Sequence, residues 1–176
     1  METTSIISNI ATAVSAVIAA VALLLTFLKY REKTKAEHAE RMFNLLKQTR
    51  ENPNTAAFFK MIDYSENRGW YNDGFPGSKF EQTIDNALLQ FEHIMYLKEQ
   101  KLLNDEEFAQ YRYEIEKIVN NEDVQHYFFN LYHYSKNVDL PFKFDKLLNY
   151  GIENKYIDKD IYNKESKYFV KRVLNF

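Results

Sequence analysis

The sequence contains no cysteine among its 176 residues, and it has only four glycines and three prolines. Without cysteine the chain can form no disulfide, no thiolate nucleophile and no cysteine-ligated zinc site, and this absence agrees with a reducing compartment. So few glycines and prolines argue against the many tight turns of an all-β fold. The composition therefore favours helices, and residues 29–176 are numerous enough for one domain with a hydrophobic core.

An excess of either charge is also lacking, because 23 basic and 25 acidic residues leave a net charge of −2. A nearly neutral chain has no general attraction for nucleic acid, so we expect no nucleic-acid partner. The sequence has no glycine-rich phosphate loop, no serine nucleophile elbow and no zinc-binding His-Glu-x-x-His helix. The arginine-histidine spacing of the RNA-cleaving HEPN helical class is missing as well. We therefore expect no catalytic residue, no cofactor and no metal, and a protein that is not an enzyme.

One long stretch carries no charge at all, namely the 23 residues from Ile6 to Leu28. At a helical rise of about 1.5 Å per residue it reaches roughly 34 Å, which is enough to cross a hydrocarbon core about 30 Å thick. Only Glu2 is charged before it, and the basic residues Lys29, Arg31, Lys33 and Lys35 follow it. The positive-inside tendency then keeps the C-terminal side in the cytosol. We predict a single-pass anchor at residues 1–28 in the inner cell membrane, with the N-terminus outside.

A cleaved signal peptide and a buried core helix are the two alternatives to a membrane anchor at this stretch. A cleaved signal peptide needs positive charge before a shorter apolar core, which is the reverse of the order here. A buried core helix is usually shorter and polar on one face.

Small residues recur at every fourth position of this stretch in two rows. One row is Ala11, Ser15 and Ala19, and the other is Thr12, Ala16 and Ala20. Such rows allow close helix packing in lipid, so a homo-oligomer formed through the anchor is an expected possibility.

Helical periodicity and capping residues predict the remaining elements. The fold class is all-α, with the transmembrane helix continuing to Asn52-Pro53 and leading into a cytosolic bundle of about five to six helices at residues 29–153. The predicted helices are Thr55 to about Ser65, Ser78 to about Lys101, one starting at Asn104, Glu122 to about Asn137, and Phe142 to Tyr150. Gly151 is expected to stop the last helix. A basic tail at residues 154–176 is expected to be helical in part.

The predicted inward positions define the core. They are Phe80, Ile84, Leu88, Phe91, Met95 and Leu102 on one helix, and Phe108, Tyr111, Ile115, Ile118 and Val119 on the next. The helix from Glu122 is apolar almost all round, so we expect it to be central. It also carries Asp123, His126 and His133, which could in principle hold a metal. We favour core histidines bonded among aromatic rings, because the set lacks a typical ligand spacing.

The candidate partner surface consists of Asp63, Arg68, Trp70 and Tyr71, in and before a loop that holds three of the four glycines. Aromatic and arginine side chains often anchor contacts with a protein partner. The alternative is a hydrophobic lid that closes the bundle, with Arg68 paired to Asp63. The basic tail is a further candidate, because it could contact anionic lipid headgroups.

Three parts of the chain resemble a known family. They are the uncharged stretch with its charged extension, the segment from Asp63-Tyr64 to Trp70-Tyr71, and the hairpin from Leu97-Lys98 to Glu107-Phe108. On these residues the chain resembles DUF4760-like small bacterial membrane-anchored proteins over roughly residues 1–153. The resemblance implies the topology, the helical fold and a bacterial source. The family's function is uncharacterised, so the resemblance implies no catalytic residue.

These observations lead to one expected function and one alternative. We expect a non-enzymatic protein-interaction or regulatory module that is anchored in the membrane and binds a cytosolic protein partner or itself. The alternative is a membrane-acting effector, for example in phage defence, that oligomerises through its anchor. A degenerate helical-bundle nuclease is a third and less favoured hypothesis.

Overall fold

A computed structural model describes the backbone of residues 2–64 and 69–174, and within those ranges it describes the side chains from residue 18 onward. The described residues form six α-helices and two short 3-10 helices, and they contain no strand. The α-helices are α1 (Glu2–Glu51), α2 (Pro53–Tyr64), α3 (Lys79–Glu99), α4 (Asp105–Val119), α5 (Glu122–Asn137) and α6 (Asp145–Glu153), and the 3-10 helices are Lys159–Tyr162 and Phe169–Arg172. The predicted all-α class is therefore confirmed.

The chain divides into two compact units, Met1–Lys47 and Gln48–Phe176. The described residues of the first unit all belong to α1. Across the residues that the structure describes, no helix combines the length and the apolar character that crossing a membrane requires. Of the predicted span Ile6 to Leu28, residues 6–17 lie outside the described side chains, and so do most members of the two small-residue rows.

The predicted helix boundary at Asn52-Pro53 is confirmed, because α1 ends at Glu51 and α2 begins at Pro53. Asn52 Oδ1 accepts hydrogen bonds from the backbone N–H of Asn54 at 2.8 Å and of Thr55 at 3.4 Å. Proline suits the first position of α2, since its missing N–H would have no partner within the helix. Asn52 and Pro53 together end one helix and start the next.

Local capping sets the starts of α3 and α4. Ser78 Oγ accepts from Glu81 N at 3.2 Å, as expected, but the Glu81 carboxylate accepts from Gly77 N at 2.6 Å. The box at α3 is therefore displaced by one residue from the predicted form. At α4 the reciprocal box is complete: Asn104 Oδ1 accepts from Glu107 N at 3.0 Å, and Glu107 accepts from Asn104 N at 2.8 Å.

The core of the second unit lies around α5, α4 and α3. All five predicted inward residues of α4 are buried, and so are Ile84, Leu88 and Phe91 of α3. Two of the predicted positions on α3 are wrong, because Phe80 is 62% exposed and Leu102 is 59% exposed. Leu102 lies beyond the end of α3, after Lys101 at a φ of 58°, and this turn carries Leu103 into the core in its place.

The first half of α5 is buried on every side, because each residue from 123 to 130 is buried. Such burial confirms the predicted central position for that half. The second half is less enclosed, and Tyr134 is 43% exposed. Side chains of the neighbouring elements therefore pack around the N-terminal half of α5.

The bounds predicted for the last helix are wrong at both ends, since α6 runs from Asp145 to Glu153 and passes through Gly151. Its start has no local cap. Instead, the Glu92 carboxylate on α3 accepts the backbone N–H of Lys146 at 2.9 Å and of Leu147 at 3.0 Å. Gly151 serves close packing rather than termination, because a Cβ there would lie 2.5 Å from Ile157 Cδ1.

The segment 154–174, expected as a basic tail, folds back on α5 through both 3-10 helices. Ile157, Ile161, Ser166 and Phe169 are all buried. Asp158 begins the first 3-10 helix, where its Oδ1 accepts from Asp160 N at 2.8 Å. This segment is thus an integral layer of the second unit, with its lysines on the outside.

Candidate functional site

The loop that holds Trp70 is fixed to the start of α5 by a shared carboxylate. Asp123 Oδ2 accepts the backbone N–H of Trp70 at 3.0 Å, and Asp123 Oδ1 accepts from Arg172 Nη1 at 2.5 Å. Gly69 permits this approach, since a Cβ at that residue would lie 2.8 Å from Asp123 Oδ1. Burial raises the pKa of the Asp123 carboxyl, while Arg172 acts in the opposite direction. One acidic side chain therefore joins the loop, α5 and the C-terminal segment.

An aromatic cluster continues from this connection into the core. The Trp70 ring lies 5.2 Å from Phe75 and 6.5 Å from Tyr127, and the Tyr71 ring lies 5.8 Å from Tyr127. The pairs are tilted or edge-on, which are the favoured arrangements of aromatic rings. Tyr71 and Phe75 are only 3% and 2% exposed. Tyr71 is therefore a core residue and offers no surface to a partner.

A polar network holds the inner end of the cluster. The Tyr127 hydroxyl donates to Asp85 Oδ1 at 2.5 Å, and Lys143 forms an ion pair with the other Asp85 oxygen. Burial, with the nearby Asp85 charge, raises the pKa of the Tyr127 hydroxyl. The network therefore connects α5, α3 and the segment before α6.

The remaining predicted surface residues do not join Trp70. Asp63 forms an ion pair with Lys117 of α4, whose Nζ also lies 5.8 Å from the centre of the Phe59 ring. Arg68 lies outside the described residues, so the predicted pair between Arg68 and Asp63 stays a prediction. Trp70 is half-buried and Tyr71 is interior. Tyr71 is therefore shielded from a partner, whereas part of Trp70 is exposed, and the choice between partner surface and lid stays a prediction.

A groove between α2 and α3 lies beside Trp70 and was not predicted. Its volume is about 480 Å³, and its lining is Ala57, Lys60, Met61, Tyr64, Trp70, Phe80 and Thr83. Tyr64 is 73% exposed and Phe80 is 62% exposed, so two aromatic rings border it in solvent. The helical periodicity assigned Phe80 to the core, but its ring lies at the surface of this groove.

The two histidines of α5 lie among aromatic rings, as the favoured interpretation expected, but His126 Nδ1 is buried without a hydrogen-bond partner in the described part of the chain. The His126 ring stacks on Tyr168 at 5.4 Å, and its Nε2 is 3.7 Å from the Glu122 carboxylate. His133 Nε2 lies 3.1 Å from the Ile161 carbonyl oxygen. Burial is the first cause that lowers the pKa of both rings. In residues 2–64 and 69–174 no group of three or more His, Asp or Glu side chains could hold a metal ion.

The first unit presents a different kind of surface. Large apolar side chains from residue 18 to residue 28 are exposed around the whole helix, namely Ile18, Val21, Leu23, Leu24, Leu25, Phe27 and Leu28. Leu23 is 71% exposed and Phe27 is 62% exposed. The basic residues that follow are exposed as well. The exposed apolar part of α1, residues 18–28, is thus followed directly by a charged part of the same helix.

A scan against protein-family models, a search of the curated proteins and a search of the solved structures each found no match to this chain. The resemblance to DUF4760-like proteins therefore stays a prediction.

Proposed function

We propose that this protein is a single-pass membrane protein whose second unit is a non-enzymatic module that binds a protein partner inside the cell. The proposal has two parts, insertion of Ile6 to Leu28 into a bilayer and binding at the groove between α2 and α3. Each part is supported by a different surface and has its own test.

The exposed apolar surface of residues 18–28 is the observation that supports insertion into a bilayer. A helix that is apolar on every side needs a protein core or lipid around it. Burying one large apolar side chain is favourable by roughly 1.5–3 kcal/mol compared with leaving it exposed to water. Seven such side chains lie between Ile18 and Leu28, and the uncharged sequence extends back to Ile6. Lipid would cover all of them at once.

Alkaline extraction of membranes from cells that express the full-length chain tests the insertion. The native protein should stay in the membrane pellet. The variant I18R/V21R should move to the supernatant, because both positions lie within four residues of the centre of the predicted span, where each arginine costs about 3 kcal/mol on insertion. A36R/F43R is the matched control, since it adds the same two charges to exposed positions of α1 beyond the predicted span. Release of the native protein into the alkaline supernatant would contradict insertion.

The groove supports the second part. Aromatic side chains are enriched at protein-protein contacts, and here Tyr64 and Phe80 stand in solvent beside the half-buried Trp70. A photo-crosslinking phenylalanine analogue at position 80 should give a discrete protein adduct in cells. The same analogue in place of Tyr113, which is 70% exposed on α4, is the control. Equal adducts at both positions, or none at position 80, would contradict a partner at the groove.

The membrane-acting effector remains a prediction. It depends on small-residue rows of which only Ala19 and Ala20 have described side chains. Growth without dye leakage at high expression would count against it.

A further inference from the structure

The first two turns after the uncharged stretch concentrate positive charge. Lys29, Arg31, Lys33 and Lys35 occur within seven residues that contain one acidic residue, Glu32. Seven helical residues extend about 10 Å along the axis, which is close to the Debye length of about 8 Å at physiological salt. These charges therefore act on one small region just beyond Leu28.

Most of this charge is not neutralised within the protein. Lys33 Nζ lies 3.8 Å from the Glu37 carboxylate, in a pair whose side chains are 76% and 51% exposed. Throughout the described ranges, Lys29, Arg31 and Lys35 form no ion pair, and all three are exposed. Tyr30 among them is 70% exposed. An aromatic ring with a polar tip next to basic side chains is typical of the level of lipid headgroups.

From this placement we infer that Lys29, Arg31 and Lys35 bind the headgroups of anionic phospholipids in the leaflet that faces the second unit. The inference rests on the proposed insertion of Ile6 to Leu28, which brings residue 29 to the headgroup region. A basic residue close to an anionic surface is worth about 1 kcal/mol, or about a fivefold preference. Anionic lipid is thus a specific partner of this segment, in addition to the apolar chains around the anchor.

The C-terminal segment is the natural comparison. Its exposed lysines Lys164, Lys167 and Lys171 have one acidic residue among them, Glu165, and they follow no uncharged stretch of membrane-spanning length. They provide the same number of positive charges in the second unit. Neutralising them removes equal net charge from the protein without touching the segment after Leu28.

The experiment uses the full-length chain reconstituted into symmetric vesicles, with lipids that carry a spin label on the acyl chain. The fraction of motionally restricted label reports lipid bound at the protein surface. Symmetric vesicles make the result independent of the orientation in which the chain inserts. Labelled phosphatidylglycerol is compared with labelled phosphatidylcholine in the native protein, in K29Q/R31Q/K35Q and in the control K164Q/K167Q/K171Q.

At low salt the native protein and the control should prefer phosphatidylglycerol by less than about fivefold, because the restricted label averages the sites beside Lys29, Arg31 and Lys35 with sites that lie beside no charge. The K29Q/R31Q/K35Q variant should show about equal binding of both lipids, and about 1 M salt should weaken the native preference, since the Debye length falls to about 3 Å. Restricted lipid without a charge preference would overturn this inference and leave the anchor intact. A preference lost in the control variant instead would overturn it too. Absence of restricted lipid altogether would overturn both the inference and the proposed insertion.

Discussion

The start of α6 provides the sharpest test of how the second unit is held together. Phe144 precedes the helix and makes no side-chain cap, so the two N–H groups of Lys146 and Leu147 depend on the Glu92 carboxylate of α3. Replacing a single-bond cap by alanine costs typically about 1 kcal/mol. Glu92→Ala removes two such bonds at a half-buried site, so we expect the free energy of unfolding to fall by about 2 kcal/mol. Glu92→Gln keeps one acceptor and should lose about half as much.

The control is Glu99→Ala, which removes the same charge from α3 two turns later. Glu99 forms only a surface ion pair with Lys146, and such pairs contribute little. Urea unfolding followed by the fluorescence of Trp70, the single tryptophan, gives the stability of each variant. Amide exchange should accelerate most at residues 146 and 147 in Glu92→Ala. Equal losses in the alanine variants of Glu92 and Glu99 would refute the capping argument.

Three further predictions concern the packing and protonation of the second unit. Gly151→Ala should cost about 1–3 kcal/mol by overpacking against Ile157, whereas Gly74→Ala, with its nearest atom at 3.5 Å, should change the urea midpoint little; equal effects would refute the close-packing role. Trp70→Ala removes the fluorescent reporter, so its urea unfolding is followed by far-UV circular dichroism instead. The variant should cost about 3 kcal/mol if the loop is a lid, and an unchanged midpoint would exclude that role. Burial lowers the pKa of His126 and His133 below the ordinary 6.5, so they contribute stability above pH 6.5 that is lost as the pH falls through their folded-state values. The raised pKa values of the Asp123 and Glu92 carboxyls act in the opposite direction, so the test is the difference between the native protein and His133→Gln. The urea midpoint of the native protein should fall more than that of the variant as the pH drops below about 6.5, and a smaller fall in the native protein would contradict the sign.

Interactions within a few residues were predictable from the sequence. The capping box of Asn104 and Glu107 and the break at Asn52-Pro53 are encoded by neighbouring residues, because the groups that satisfy each backbone N–H lie within one turn. The inward residues of α4 follow the helical period for the same reason. These parts of the fold need no knowledge of the tertiary structure.

Long-range contacts were not predictable in this way. The start of α6 is set by Glu92, which lies 54 residues before Lys146. Gly151 has the sequence context of a helix stop, but its role depends on Ile157 packing across it. Similarly, Asp123 connects the loop to Arg172, 49 residues later. No local pattern contains this information.

The candidate site was predicted only in outline. The loop around Trp70 was identified as an ordered aromatic segment, and the lid alternative anticipated the burial of Tyr71. The groove was missed because it depends on the exposure of Phe80, which the helical period assigned to the core. A residue in the first turn of a helix follows the helical period, but its burial depends on whether a neighbouring element reaches that far.

The central claim is that residues 6–28 cross a bilayer and leave the second unit in the cytosol. Because the chain has no native cysteine, single-cysteine variants Thr3→Cys and Lys167→Cys report each side without background. Intact bacterial cells with a permeabilised outer membrane are treated with a membrane-impermeant maleimide. The account predicts labelling at position 3 in these cells and at position 167 only after lysis. Labelling at position 167 before lysis, or equal labelling of both positions, would contradict it.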